Sequence, residues 1–150
     1  MKEKIEHLDV VALCKKKGLH MTDQRITIAN VITNSADHPS VETIYSRASK
    51  KNKKISMATV YRTLKLFEDA KVVIKHDFKL KDDKARYEPV SRWEHNHLID
   101  INSGKVTEFQ NPGFEKLSKK ISEKLGYKIV GYKLEIFALK EACSKIKNIK

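Results

Sequence analysis

The sequence predicts an α+β fold in which an N-terminal winged helix-turn-helix is followed by a small α/β domain. Up to about residue 70, four segments place apolar residues at helical spacing, and two short β-branched runs follow them. Beyond residue 90 the pattern changes to a strand hairpin, one helix and one further strand. We therefore expect a first domain at residues 1–90 and a second domain at residues 91–150.

The first three helices are indicated by apolar spacing together with residues that begin or end helices. Residues 5–17 have helical spacing, and Gly18 is typical of the position just after a helix. Thr22 is a good N-cap for a second helix that runs to about Asn34, and Ser40 for a third that runs to about residue 51.

Ser56 caps a fourth helix that directly follows a tight turn. Its Val60, Leu64 and Phe67 are expected to face inward. The positions expected to be exposed are Thr59, Tyr61, Arg62, Thr63 and Lys65. Two short helices joined by a tight turn, with polar and aromatic groups on the second, are typical of a helix-turn-helix that reads the major groove. Residues 72–78 and 85–88 add the two strands of a wing.

The second domain contains a pair of histidines that are suited to bind a metal. On a strand, His95 and His97 point to the same face, whereas on a helix they would diverge by roughly 200°. If Ser103-Gly104 is a two-residue turn, Ile99 lies opposite Glu108, which places Glu108 on the histidine face. Two nitrogens and an oxygen would then converge. The alternative is a solvated or hydrogen-bonded histidine pair without a metal.

The rest of the second domain predicts one helix and one strand. Pro112 begins a helix that runs through Leu125 and has an apolar face, and residues 127–139 predict a strand that returns to the hairpin. Such a unit is too small to bury a sizeable core, so we expect it to be a dimerisation domain.

Composition and charge favour a polyanionic partner. The chain has 31 basic and 19 acidic residues and a net charge of +12, which makes nucleic acid the first expectation, although Lys-rich composition is also common in ordinary soluble proteins. No run is long enough for a membrane span, so we expect a soluble, cytoplasmic protein without a membrane partner. Cys14 and Cys143 lie in no C-x-x-C pair and are expected to be reduced and structural.

From about Gly18 to Leu139, the chain resembles the ferric uptake regulator family of bacterial metal-dependent transcription factors. The motifs that carry the resemblance are residues 18–25, 38–45, 58–64, 86–88, 95–99 and 104–109. The resemblance implies a homodimer that binds one divalent metal per subunit, Fe2+ or Mn2+ with Zn2+ possible, through ligands from both domains. The implied ligands are His38, Glu88, His95, His97 and Glu108. The metal would hold the two winged helices of the dimer at the spacing of successive major grooves.

The chain also departs from the family pattern. Asp100 and Ser103 stand where many members carry a C-x-x-C pair, so no structural zinc on four cysteines is expected. A further family site corresponds to Glu94, Asn96, Glu115 and Tyr132, and we expect that site to be absent or weak. The pattern without the C-x-x-C pair resembles the branch of the family that includes manganese uptake regulators. Peroxide-sensing relatives have Asp in place of Glu108, so peroxide sensing is not expected.

The resemblance also implies roles in binding an inverted-repeat DNA operator. Tyr61 and Arg62 would enter the major groove, and His20 corresponds to the basic minor-groove residue. The residues implied to meet phosphates are Thr59, Thr63, Lys65 and Arg25. These features favour a repressor and not an enzyme. The alternatives are a winged-helix DNA binder whose metal is purely structural and a zinc metalloenzyme built on the histidine pair.

Overall fold

A computed structural model describes residues 9–78, 80–90 and 95–141 of the chain. The chain divides into two compact units, Met1–Glu94 and His95–Lys150. Among the helices of the described ranges, none combines the length and apolarity that crossing a membrane requires.

Four helices make up most of the first unit, and the last three of them begin directly after the predicted caps. The helices are α1 (Val10–Lys16), α2 (Asp23–Thr33), α3 (Val41–Lys51) and α4 (Met57–Asp69). The hydroxyls of Thr22, Ser40 and Ser56 each accept a hydrogen bond from the backbone N–H three residues later, as predicted. The predicted start of the first helix is wrong, because Asp9 has an extended backbone and its side chain accepts a hydrogen bond from the Ala12 backbone N–H, so that α1 begins at Val10. Residues 5–8 of the predicted helix lie outside the described residues.

The wing follows the helices directly. Strands β1 (Val73–His76) and β2 (Arg86–Pro89) pair antiparallel, which confirms the predicted winged helix-turn-helix. The core of this unit joins all four helices to the wing, and its largest fully buried members include Ile28, Ile32, Ile44, Leu64 and Phe67.

The second unit has a three-stranded sheet and one helix, which together with the first unit makes the predicted α+β fold. Its elements are β3 (Asn96–Asp100), β4 (Val106–Phe109), α5 (Pro112–Lys124) and β5 (Glu135–Ala138). The strand order is β4-β3-β5, with β3 antiparallel to β4 and parallel to β5. The predicted strand at 127–139 is shortened to β5, because β3 is only five residues long and pairs with it from His97 to Asp100.

The register of the β3–β4 hairpin differs from the predicted register by two residues. Ile99 pairs with Val106, and the residue opposite Glu108 is His97. The predicted two-residue turn is wrong, because Asp100 closes a longer loop. Its carboxylate accepts hydrogen bonds from the Asn102 backbone N–H at 3.0 Å and from the Ser103 hydroxyl at 2.6 Å. Since side chains alternate with period two, this slip leaves Glu108 on the predicted face.

Candidate metal centre and DNA-reading surface

In the first unit, His38 and Glu88 form a buried pair. His38 precedes Pro39 in the loop before α3 and has a φ of +48°, which non-glycine residues rarely adopt and which costs on the order of 1–3 kcal/mol. Its Nε2 lies 3.3 Å from Oε2 of Glu88 on β2. Both side chains are at least 96% buried, since their exposed fractions are 2% and 4%. The backbone strain at His38 therefore accompanies a specific imidazole–carboxylate contact.

His76 is a third member of this buried cluster, and the sequence reasoning missed it. Its Nε2 is hydrogen-bonded to Oε1 of Glu88, the other oxygen of the same carboxylate. His76 pairs with Arg86 across the wing, so Glu88 is its diagonal neighbour on the same face. The sequence pattern predicted the two strands of the wing but not their register. The register would have indicated this contact.

In the second unit, the histidine pair and a carboxylate meet on one face of the sheet. Nε2 of His95 lies 3.1 Å from Nε2 of His97 and 3.7 Å from Oε1 of Glu108. His97 is buried, and the Glu108 side chain is about one-third exposed. The structure thus brings together the three ligands that the hairpin was expected to supply.

Glu135 on β5 is a second carboxylate beside His97 that the sequence reasoning missed. The two residues are in register, and an imidazole nitrogen of His97 lies within 4.8 Å of a carboxylate oxygen of Glu135. An ion pair at 2.6 Å also joins Glu135 to Lys133. His97 is therefore flanked by Glu108 on one neighbouring strand and by Glu135 on the other. The sequence predicted a strand in this region but not its register against β3, so Glu135 could not be identified as the neighbour of His97.

The donor chemistry of both clusters fits a divalent transition metal. Imidazole nitrogens and carboxylate oxygens are ligands for Fe2+, Mn2+ and Zn2+, and each unit holds at least two histidines and one glutamate close together. Thiolate ligation has no support among the described residues. Burial raises the pKa of the Cys14 thiol, and Cys143 lies outside the described residues.

The four residues of the predicted weak site differ in their surroundings, and one of them lies outside the described residues. The ring of Tyr132 packs on Phe114, with centroids 5.5 Å apart. Asn96 is buried, Glu115 is exposed in the first turn of α5, and Glu94 falls outside the described ranges.

Helix α4 presents most of the predicted DNA-contacting side chains to solvent. Tyr61 is 54% exposed, and Arg62 and Lys65 are also exposed, with Lys65 paired to Asp69 at 2.9 Å. Thr59 is half-buried, and its hydroxyl lies 2.9 Å from that of Ser56.

The expectation that Thr63 is exposed is wrong. Only 3% of this residue is accessible, so it cannot meet a phosphate in this conformation. Thr63 follows Val60 by three residues and precedes Phe67 by four, which places it within the inward stripe of the helix. The inward face of α4 is one residue wider than its apolar side chains indicated.

The two remaining DNA candidates contact each other where the chain enters α2. Nη1 of Arg25 donates a hydrogen bond to the backbone oxygen of His20 at 2.6 Å. His20 is exposed and Arg25 is half-buried, so both are accessible to solvent.

Comparisons with known proteins agree with these features. The profile described as "Ferric uptake regulator family" matches residues 16–137. The chain is 45% identical over 127 residues to the ferric uptake regulation protein of Rhizobium leguminosarum bv. viciae, which covers 85% of this chain and 88% of that protein.

Solved structures are similar over almost the whole chain. A zinc-bound manganese uptake regulator matches with a TM-score of 0.71 and 41% identity, covering 89% of this chain and 99% of the other. The Helicobacter pylori ferric uptake regulator, described as having three functional metal binding sites, matches with a TM-score of 0.76 and 27% identity over 99% of this chain and 100% of that one. This chain therefore belongs to the ferric uptake regulator family of metal-responsive transcription regulators, which are not enzymes.

Proposed function

We propose that this protein is a homodimeric repressor whose affinity for an inverted-repeat DNA operator depends on one divalent metal per subunit. The ion would be bound by His38, Glu88, His95, His97 and Glu108. The observation that carries the proposal is the presence of a histidine–carboxylate cluster in each of the two units, one at His38 and Glu88 and one at His95, His97 and Glu108.

Each cluster by itself offers few ligands for an ion. A bound ion that takes ligands from both clusters would gain coordination and would also fix the angle between the units. Its binding energy would then favour the one arrangement of the winged helices that matches DNA, as linkage requires. The chain's own residues supply this coupling, since the ligands lie in the unit that carries the wing and in the unit that carries the sheet.

An exposed apolar surface of the second unit supports dimerisation. Leu117 and Ile121 on α5 and Leu125 at its C-cap are 51%, 50% and 66% exposed, and none of the residues of this helix is buried. Their spacing of four residues forms one apolar stripe. A second copy of the chain that covers this stripe would supply the burial that the small unit needs.

Recognition of DNA would come from α4. Arg62 is exposed and able to form two hydrogen bonds to a guanine edge, and the adjacent Tyr61 is suited to contact a thymine methyl group. The net charge of +12 would add attraction to phosphates that is independent of sequence and weakens with salt.

The physiological metal is proposed to be Fe2+ or Mn2+, with Zn2+ able to occupy the same ligands. Nitrogen and oxygen donors suit all three ions, and no cysteine ligand in the proposed set selects for zinc. The relatives include proteins described as ferric uptake regulation proteins and as manganese uptake regulators.

The proposal is tested by fluorescence anisotropy on a DNA duplex selected from a random pool in the presence of Mn2+. We expect Mn2+ or anaerobic Fe2+ to raise the affinity by about 5- to 150-fold over protein in chelator, which is the usual range of allosteric coupling. Equal affinity with metal and with chelator would contradict the proposal. Circular dichroism of the chelated protein separates the alternatives, because loss of the fold would indicate a purely structural metal.

A further inference from the structure

His76 is not among the proposed ligands, yet it contacts one of them directly. We infer that His76 is a positioning residue that orients the Glu88 carboxylate toward the ion, a role that rests on the proposed metal site. Three side chains of the first unit are involved, and all of them are buried, namely His38, His76 and Glu88.

The two oxygens of Glu88 have different neighbours. Oε2 lies 3.3 Å from Nε2 of the proposed ligand His38, and Oε1 is hydrogen-bonded to Nε2 of His76. A carboxylate that accepts a hydrogen bond at one oxygen cannot rotate freely about its terminal bond. The oxygen beside His38 is thereby held in place for the ion, and the oxygen beside His76 serves as the anchor.

The His76 ring is itself fixed by packing. It stacks on the Phe78 ring with centroids 4.9 Å apart and planes 6° apart, and it meets the His38 ring edge-on at 6.2 Å. Only 4% of His76 is exposed. An imidazole held in this way presents its Nε2–H to Glu88 in one direction, which is what an orienting group requires.

The hydrogen bond at Nε2 also keeps this nitrogen from serving as a metal ligand. In the tautomer that donates to Glu88, Nε2 of His76 carries the hydrogen and has no lone pair for a metal, so it acts on the ion through Glu88. The lone pair of this tautomer lies on Nδ1, and an ion bound at Nδ1 is the competing arrangement that the measurements below test. Residues that orient metal ligands in this way commonly change affinity by about 10- to 100-fold when they are replaced.

The main experiment compares two substitutions of His76 with a neighbour on the same strand. His76→Phe keeps a ring on Phe78 but removes the donor, His76→Gln restores an N–H donor, and Lys75→Gln changes an exposed position of β1. Free Mn2+ is followed by electron paramagnetic resonance during titration of each full-length protein. We expect affinity to fall about 10- to 100-fold for His76→Phe, to recover in part for His76→Gln, and to stay unchanged for Lys75→Gln.

Melting of the metal-free proteins checks the fold, and the number of histidine ligands is counted by X-ray absorption of the loaded proteins. Unchanged affinity in folded His76→Phe, or one fewer histidine ligand than in the wild type, would overturn the inference. If the wild type itself binds no Mn2+, the proposed function fails, and the positioning role of His76, which depends on the metal site, fails with it.

A measurement on the unsubstituted protein decides the case even if His76→Phe does not fold. Heteronuclear NMR of the Zn2+-loaded wild type reports which ring nitrogen of each histidine carries a hydrogen. We expect His76 to be protonated at Nε2 and to show no metal coordination. A metal-bound nitrogen on His76 would overturn the positioning role.

Discussion

His97 lies directly opposite Glu108 in the β3–β4 hairpin. Because directly opposite residues of antiparallel strands share a face, the carboxylate lies with the imidazoles of His95 and His97, and Oε1 is 3.7 Å from Nε2 of His95. The side chains of the second unit thus already place two imidazole nitrogens and one carboxylate oxygen close together. Substitution of Glu108 should therefore change metal binding without changing the hairpin.

Glu108→Gln should weaken Mn2+ binding by at least about tenfold, because a neutral amide replaces a charged oxygen donor. Calorimetric titration of the full-length protein measures this change. The matched control is Thr107→Ala, since Thr107 is exposed on the same strand and points to the other face of the sheet. Equal losses in the two variants would show that the hairpin, and not the carboxylate, was disturbed.

Substitutions of two adjacent residues of α4 should affect DNA affinity differently, because one side chain is exposed and the other is buried. Arg62→Ala should weaken metal-loaded binding to the selected duplex by about 1–3 kcal/mol, the usual worth of a bidentate contact to a base. Thr63→Val keeps the shape of a buried side chain and should leave DNA affinity unchanged, with its effect confined to thermal stability. Anisotropy titration of both proteins tests this pair, and a larger loss for Thr63→Val would contradict the assignment of the two faces.

A charge placed in the apolar stripe of α5 should disrupt the dimer. Ile121→Glu would bury an unpaired carboxylate in the proposed interface, whereas Lys116→Glu alters an exposed position on another side of the same helix. Analytical ultracentrifugation should show monomers for Ile121→Glu and dimers for the wild type and Lys116→Glu. Dimers in all three proteins would place the interface elsewhere.

The folded protein should lose stability at high pH through Tyr87. Burial, together with the nearby Glu68 carboxylate, raises the pKa of Tyr87 to about 12, whereas an unfolded tyrosine titrates near 10. The stabilisation is complete below about pH 10 and is lost as the pH rises through about 12, up to about 2 kcal/mol. Denaturant unfolding over this range should show a steeper decline in the wild type than in Tyr87→Phe. Equal declines in the wild type and in Tyr87→Phe would contradict a role of Tyr87 in this loss of stability.

The features that could be predicted from the sequence depend on neighbours along the chain. Thr22, Ser40 and Ser56 were predicted as N-caps because a cap bonds a backbone N–H only three residues away. The shared face of His95, His97 and Glu108 was also predicted, since a two-residue slip in register preserves it.

The features that were missed depend on contacts between distant segments. His76 meets Glu88 only through the register of the wing, and Glu135 meets His97 only through the parallel pairing of β5 with β3. The burial of Thr63 depends on how much of α4 the rest of the unit covers, which the apolar pattern of one helix does not determine.

The most direct test of the central claim is the stoichiometry and affinity of Mn2+ in three full-length proteins, namely the wild type, His38→Ala and His97→Ala. The two substitutions remove one proposed ligand from each unit. If one ion takes ligands from both units, calorimetry should give one ion per subunit in the wild type and a large loss of affinity for that same ion in each variant. Retention of wild-type Mn2+ affinity in either variant would contradict a shared ion.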